Sequence, residues 1–216
     1  EDGIRDVERS RGLGDVYKRQ IQERDVRLLR EVIKTRLNLE MAANEEIINI
    51  ALQIKPDSAT IVPEKRQELT TEGGLDVIAH FEHIEDTVEK LRNKGIIVSL
   101  FVDPEPEQIK AAAKAQADFI EIHTGTYAEA TEEKQIKEEL NKIIQGAKLA
   151  RELGLRVNAG HGLNYRNVRL IAQIEEIEEL NIGHSIISRA IMVGITQAVK
   201  EMKILLEQAD YLNQKV

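Results

Sequence analysis

From Arg24 onward, the chain alternates short apolar runs with longer stretches in which apolar residues recur with helical spacing. The short runs are typical of buried β-strands, and the longer stretches are typical of amphipathic helices. We predict strands at residues 37–41, 58–62, 96–102, 119–123, 155–159 and 180–183. We predict helices at residues 45–54, 82–93, 106–117, 132–153, 165–174 and 195–212. This order of elements predicts βα units around a parallel sheet.

The number of predicted strands is smaller than a closed barrel requires. Six strands are predicted, whereas a closed (β/α)₈ barrel has eight. Residues 1–20 are rich in charge and glycine and lack apolar alternation. They are also too few for two βα units, which need about 60 residues in such a barrel. The pattern fits either an open six-stranded sheet or a TIM-type barrel that lacks its first two strands, and we expect the second.

Composition narrows the class of protein. The 216 residues, 42% of them hydrophobic, are enough for one sizeable core, so one domain is expected. A net charge of -8 argues against nucleic acid or an anionic membrane as the main partner. The chain has no cysteine, which excludes disulfides, thiol catalysis and thiolate metal ligands. No apolar run approaches the roughly 20 residues of a membrane span, so we expect a soluble cytoplasmic protein.

Two predicted strands lead into a glycine followed by a histidine, at Gly160-His161-Gly162 and at Gly183-His184. The C-terminal ends of parallel strands form the edge where α/β folds bind ligands. Glycine leaves the backbone amides open, and a helix beginning near residue 185 would direct its positive end at an anion. We therefore predict a phosphate site, with His161 as an acid or base and His184 as a ligand of phosphate or carbonyl oxygen. The alternative is that both histidines are structural.

Acidic residues occur at two further predicted strand ends. Glu40 shares a face with Asn38, and at the mouth of a barrel it would serve as a general base. The alternative for Glu40 is a structural salt bridge or a helix cap. Glu121 and His123 also share a face, so each could tune the pKa of the other for proton transfer. Their alternative is a structural hydrogen bond inside the barrel.

A long polar loop follows the second predicted strand, at residues 63–74. Lys65, Arg66, Thr70 and the backbone amides of Gly73 and Gly74 offer donors to anionic oxygens. A loop of this length at the ligand edge would serve as a lid, and the alternative is a solvated surface loop. The charges next to Lys65 argue against a Schiff-base role for its amine.

Six segments of the chain together resemble the pyridoxine 5'-phosphate synthase family. They are Arg36-Leu37-Asn38-Leu39-Glu40-Met41, Val62-Pro63-Glu64-Lys65-Arg66-Gln67-Glu68, Thr70-Thr71-Glu72-Gly73-Gly74-Leu75-Asp76, Glu121-Ile122-His123-Thr124-Gly125, Asn158-Ala159-Gly160-His161-Gly162-Leu163 and Asn181-Ile182-Gly183-His184. They occur in the family's order between about residue 21 and about residue 206. The resemblance implies a (β/α)₈ barrel domain over residues 21–216, preceded by a leader at residues 1–20 that matches nothing in the family.

The resemblance also implies an activity. The family condenses 1-deoxy-D-xylulose 5-phosphate with 3-amino-2-oxopropyl phosphate to give pyridoxine 5'-phosphate, inorganic phosphate and water. The family needs no metal and no organic cofactor. The expected partners are the two small phosphorylated substrates of this reaction. Family members form octamers, which implies a homo-oligomer.

Individual roles follow from the same resemblance. The family's general base matches Glu40, its proton donor matches His161, and an acid that assists the transition state matches Glu121. Four further positions that hold the two substrates match Thr70, Gly162, Gly183 and His184. The substrates form an imine with each other, so the enzyme needs no lysine for this step.

The chain departs from the family at its amino terminus. Family members begin with a strand that carries an Asn-x-Asp-His motif, and a His-x-Arg loop that supplies another base follows their second strand. Neither motif occurs here, and the first histidine of the chain is His80. The sequence therefore predicts an amino-terminally incomplete synthase without full activity.

Two other functions fit the same residues. The first is a metal-dependent sugar-phosphate isomerase or aldolase, in which the acidic and histidine side chains at the strand ends would ring a divalent cation. Those side chains are Glu40, Glu121, His123, His161 and His184. The second is a non-catalytic barrel fragment that binds phosphate without turnover.

Overall fold

The computed structural model describes residues 21–63, 70 and 73–213. The six strands are β1 (Asn38–Met41), β2 (Ser58–Ile61), β3 (Ile97–Val102), β4 (Phe119–His123), β5 (Arg156–Gly160) and β6 (Ile177–Asn181). The helices are α1 (Glu23–Val32), α2 (Glu45–Ile54), α3 (Phe81–Arg92), α4 (Pro106–Lys114), α5 (Gly125–Glu129), α6 (Glu133–Glu152), α7 (Val168–Ala172), α8 (His184–Val193) and α9 (Ile195–Asn213). The predicted leader at residues 1–20 and the loop residues Lys65 and Arg66 lie outside the described residues.

The six strands form one parallel sheet in the order β1-β2-β3-β4-β5-β6. The sheet curls so that its two edges approach each other. The ion pair between Arg36, beside β1, and Glu179 of β6, at 3.3 Å, shows this approach. An inner cavity of about 390 Å³ is lined by residues from all six strands. The parallel, barrel-like arrangement predicted from the sequence is therefore confirmed.

The two faces of the sheet differ in chemistry. The outer face is apolar and fully buried against the helices, as at Ile61, Leu100 and Ile122. The inner face is largely polar, and one of its rows aligns Phe101, Glu121, Asn158 and Glu179 in neighbouring strands. The hydrophobic core thus lies between sheet and helices, and the interior of the curled sheet is left to groups that form hydrogen bonds.

Local signals explain three of the helix boundaries. The side chain of Asn44 caps α2 by accepting a hydrogen bond from the amide of Ile47 at 2.9 Å. Gly95 and Gly154 follow α3 and α6 with positive φ angles, which other residues adopt with difficulty. The sequence did not predict α1 or α5.

The last strand was misplaced by the sequence analysis. It begins at Ile177 and ends at Asn181, whereas residues 180–183 were expected. The segment 177–181 contains Glu178 and Glu179, so it lacks the apolar run on which the prediction relied. Gly183 instead precedes α8 as its cap residue.

Within the described residues, no helix combines the length and the apolarity that crossing a membrane requires.

Candidate active site

The predicted site residues lie at the C-terminal edge of the sheet. Glu121 and His123 are buried on the inner face of β4, and residues 160–162 extend from the end of β5. Parallel strands all present this end to the same side, so residues distant in sequence meet there. The hydrogen-bond partners of each side chain indicate which chemistry this edge of the sheet can support.

Glu121 is a buried carboxyl group that is 4% exposed. Its Oε2 accepts a hydrogen bond from Nδ2 of Asn181 at 2.6 Å. Burial raises the pKa of Glu121 to about 7, the bond from Asn181 opposes that rise, and the negative charges of Glu40 and Glu179 add to it. Glu121 can therefore hold a proton near neutral pH and release it.

Gly160 is required by the position of Glu121. A Cβ atom at residue 160 would lie 2.2 Å from Oε1 of Glu121 and 3.1 Å from the Cβ of Asn181. The first distance is shorter than any contact a real Cβ makes. The glycine therefore lets the carboxyl group and the backbone of β5 approach closely.

His161 occupies a strained turn at the end of β5. Its φ is +79°, in the left-handed region that glycine and asparagine favour. The hydroxyl of Thr124 holds this turn: its oxygen lies 2.7 Å from the carbonyl oxygen of Gly160 and 2.6 Å from that of His161, and the two carbonyls share its single proton. Desolvation and the charge of His123 lower the pKa of His161, against the opposing effects of Glu129 and Glu40. The imidazole is therefore held in place with its neutral form favoured.

A buried aspartate follows β3 and connects several segments. Asp103 is 1% exposed, and its Oδ1 is 2.9 Å from Nδ1 of His123. The same carboxylate accepts hydrogen bonds from the Thr70 hydroxyl and from the amide of Gly74, the latter at 3.1 Å. The imidazole of His123 in turn lies 5.0 Å, between ring centroids, from that of His161.

The structure corrects one predicted pairing. Glu121 and His123 share the inner face of β4, as expected, but they do not pair with each other. Glu121 bonds to Asn181 and His123 bonds to Asp103. Alternation along a strand establishes which face a residue takes, but not which residue from another strand will meet it.

Glu40 lies on β1, at the mouth of the curled sheet. Its side chain is exposed, and its charge acts on both Glu121 and His161. The carboxylate of Glu40 therefore lies near enough to influence the protonation of both residues. Their catalytic roles stay predictions.

The residues expected to hold substrate lie around the same edge. Gly183 precedes α8, and a Cβ there would have no atom within 4 Å. His184 is the exposed first residue of α8, and Gly162 has a φ of +76° beside Ala128. Thr70 is joined to the edge through Asp103. Their role in holding substrate stays a prediction.

Among the residues that the structure describes, no three histidine or acidic side chains converge in a way that could hold a metal ion.

Three residues of this edge were missed by the sequence analysis: Asp103, Thr124 and Asn181. Asp103 comes directly after the apolar run of β3, so the rule used for Glu40 could have found it. Asn181 precedes the second glycine-histidine pair. Thr124 had no such signal, because its function depends on carbonyl oxygens of the next strand.

Comparison with solved structures shows the fold. The chain is similar to the tryptophan synthase A-subunit from the hyperthermophile Pyrococcus furiosus, with a TM-score of 0.55 and 14% identity. That match covers 90% of this chain and 74% of the other. It is also similar to KGPDC from Streptococcus mutans, with a TM-score of 0.60 and 16% identity over 88% of this chain and 81% of that one.

Comparison with curated proteins shows closer relatives. A pyridoxine 5'-phosphate synthase from Geotalea daltonii is 62% identical over 185 residues, which are 86% of this chain and 77% of the relative. The same enzyme from Geobacter sulfurreducens is 56% identical over 192 residues, which are 89% of this chain and 80% of the relative. The enzyme from Thermosynechococcus vestitus is 58% identical over 189 residues, which are 88% of this chain and 79% of the relative.

The family model for the pyridoxal phosphate biosynthesis protein PdxJ matches residues 15–208. This match includes every strand of the sheet and each of the site residues described above. The chain therefore belongs to the PdxJ family.

Proposed function

We propose that the chain is a pyridoxine 5'-phosphate synthase, which condenses 1-deoxy-D-xylulose 5-phosphate with 3-amino-2-oxopropyl phosphate. The products are pyridoxine 5'-phosphate, inorganic phosphate and water. The observation that carries this proposal is the group formed by Glu40, Glu121 and His161 at one edge of a chain that has a synthase relative at 62% identity.

The chemistry needs repeated movement of protons. The amine of one substrate attacks the ketone carbon of the other, and loss of water gives the C=N bond. Ring closure then requires protons to leave carbon and reach departing oxygens. Groups whose pKa lies near neutrality carry out such transfers best.

Glu121 fits the acid that assists the transition state. Its pKa of about 7 leaves a large protonated fraction at neutral pH, so it can donate a hydrogen bond to an oxygen that gains negative charge. The amide of Asn181 fixes its other oxygen. The carboxyl group is therefore already oriented before substrate binds.

His161 fits the proton donor and Glu40 the general base. The lowered pKa of His161 makes its protonated form a stronger acid. Glu40 is exposed at the mouth of the barrel, where its carboxylate can take a proton from substrate carbon. Thr70, Gly162, Gly183 and His184 would hold the substrates, with phosphate near the open amide end of α8.

The test is a direct assay of the purified chain with both phosphorylated substrates, in which pyridoxine 5'-phosphate is identified by mass spectrometry. We expect product that depends on both substrates and that survives treatment with a chelator. Calorimetric binding of either substrate without product would instead support the phosphate-binding fragment. Rearrangement or cleavage of one phosphorylated substrate alone, lost on chelation and restored by a divalent metal, would support the isomerase or aldolase class.

We also propose that the protein is cytoplasmic and forms a homo-oligomer. The chain has no cysteine and so needs no oxidising compartment for disulfide formation. Exposed apolar side chains on α8 support association. Ile187 and Ile191, 59% and 80% exposed, lie one turn apart on the same face of the helix, and Met192, next to Ile191, is 79% exposed.

A further inference from the structure

The carboxylate of Asp103 is buried and surrounded by donors. It receives hydrogen bonds from the Thr70 hydroxyl and the Gly74 amide, and it faces Nδ1 of His123. Burial alone would raise the pKa of Asp103, but the bonds from His123, Thr70 and Gly74 outweigh it and lower the pKa. The group is therefore ionised and has no proton to donate.

The ionised state of Asp103 determines the tautomer of His123. Because a carboxylate can only accept, the proton between the two groups belongs to Nδ1 of the imidazole. When His123 is neutral, its Nε2 atom consequently carries the lone pair. That atom faces Gly125, where a Cβ would lie 2.4 Å from Nε2 of His123 and 3.2 Å from Cδ2 of His161.

The imidazole of His123 is also enclosed on several sides. The ring of Phe101 lies 5.1 Å away, between centroids, and that of His161 lies 5.0 Å away. A Cβ at Gly73 would come within 3.1 Å of Cε1 of His123. Gly73 and Gly125 thus leave room for the ring in its observed orientation, and the hydrogen bond to Asp103 holds it there.

A further close contact ties Asp103 to the loop before it. A Cβ at Gly74 would lie 2.5 Å from the backbone nitrogen of Asp103 and 2.9 Å from its Oδ2. The amide of Leu75 also donates to the carbonyl oxygen of Phe101 at 2.8 Å. The backbone around Gly74 is therefore fixed against the end of β3.

We propose that Asp103 is a positioning residue that fixes the tautomer and orientation of His123 and, through that imidazole, sets the proton affinity of His161. It also holds Thr70 on the same carboxylate, so one side chain aligns a group expected to bind substrate with the expected proton donor. This inference rests on the proposed function only where it concerns turnover. The effect of Asp103 on His123 and His161 is also expected in the protein without substrate.

The test compares Asp103→Asn with a matched control, Asp118→Asn. Asp118 also accepts a backbone amide, that of Val98 in β3 at 2.9 Å, and it lies beside the other end of that strand. Both variants remove a carboxylate that accepts a backbone amide beside one end of β3, so a purely structural role of Asp103 predicts similar effects. Only Asp103→Asn removes the partner of His123.

The first readout is nuclear magnetic resonance of ¹⁵N-labelled histidine without substrate. We expect His123 to carry its proton on Nδ1 in the wild type and to lose this preference in Asp103→Asn, with a changed titration midpoint for His161. Asp118→Asn should leave both unchanged. An unchanged tautomer and an unchanged midpoint in Asp103→Asn would overturn the proposal, whatever happens to activity.

The second readout is turnover. We expect kcat of Asp103→Asn to fall about 10-fold or more while KM changes less than about 3-fold, as for loss of a group that orients a reacting side chain. Equal kinetic losses in both variants would contradict the positioning role. A wild type without any turnover would contradict the proposed function, and the histidine resonances would still decide the role of Asp103.

If Asp103→Asn does not fold, His123→Asn tests the same link from the other side. The charge of His123 lowers the pKa of His161, so removal of this imidazole should raise the His161 midpoint. A His161 midpoint equal to that of the wild type would overturn the proposal.

Discussion

The folded protein favours the neutral acid of Glu121 more than water does, because its pKa is raised from 4.5 to about 7. Burial and the neighbouring charges of Glu40 and Glu179 disfavour ionisation, and the single amide of Asn181 compensates only in part. The same features that would make this residue useful as an acid therefore destabilise the fold at alkaline pH.

Replacement of Glu121 by Gln tests this cost. Because the folded pKa of about 7 lies above the ordinary 4.5, the stabilisation from Glu121 is full below pH 4.5 and is lost as the pH rises through 7. Between pH 4.5 and pH 8, the free energy of unfolding of Glu121→Gln should therefore rise by about 3 kcal/mol relative to that of the wild type. Urea unfolding at several pH values measures the difference, with the exposed Glu175→Gln as control. A difference independent of pH would contradict the raised pKa.

Replacement of His161 by Asn tests the proton donor. Asparagine tolerates the φ of +79° at this position, so the turn should persist. Turnover should fall about 100-fold or more, since a positioned acid contributes on that order. Steady-state kinetics measures the loss, and His80→Asn, outside the site, serves as control. Unchanged kcat in a folded His161→Asn protein would exclude the role.

At the scale of elements, the site depends on close approach between strand ends. Gly160 of β5 gives space to Glu121 of β4, and Thr124, after β4, binds two carbonyl oxygens at the end of β5. Gly183, which precedes α8 after the end of β6, has no such close contact, because it faces open space. Two glycines at the same edge should therefore respond differently to substitution.

A methyl group at position 160 should be destabilising. In Gly160→Ala the new Cβ would lie 2.2 Å from Oε1 of Glu121, so the carboxyl group must move away from Asn181. Overpacking of this kind typically costs about 1–3 kcal/mol. Thermal unfolding and turnover should both decline. Double substitution with Glu121→Ala should recover the stability but not the turnover, and no recovery would contradict the proposed clash.

A larger side chain at position 183 should affect binding instead. The φ of Gly183 is -109° and its Cβ direction is free, so Gly183→Val should fold with an unchanged melting temperature. If phosphate occupies this space, KM should rise about 10-fold, equivalent to about 1.4 kcal/mol. Steady-state kinetics over a range of each substrate measures it. Wild-type KM values would argue against a phosphate site at the start of α8.

At the scale of the whole molecule, two kinds of surface remain after the sheet has curled. The polar inner face forms the walls of the cavity, and the apolar residues of α8 face outward. Such side chains on one helix face are typical of association surfaces. The proposed homo-oligomer would bury them.

Substitution on this helix tests the assembly. Ile191→Lys places a charge at a position that is 80% exposed, so the folded protomer should tolerate it while an oligomer that buries it should not. Light scattering after size exclusion should show a smaller mass than for the wild type. Leu170→Lys, 44% exposed on α7, is the matched control. A monomeric wild type, or an Ile191→Lys protein of unchanged mass, would contradict the proposal.

The sequence predicted the strands well where apolar runs were bounded by polar residues, as for β3 and β4. It displaced β6, whose two central glutamates interrupt the apolar run. It also placed Glu121 and His161 at the ligand edge of the sheet from their positions near predicted strand ends, and their catalytic roles stay predictions. It could not predict the contacts of Asp103, because Thr70, Gly74 and His123 reach that carboxylate from other parts of the chain. Such contacts depend on how the sheet curls, which local pattern does not specify.

The separation of an apolar outer face from a polar inner face has a consequence for how this protein can evolve. Folding depends chiefly on side chains such as Leu100 and Ile122, which point away from the cavity. The inward positions can therefore exchange one polar group for another at little cost to folding, because few of them belong to that core. A library of variants confined to inward positions should retain many folded members, and new substrate preferences could be selected from it without first raising stability.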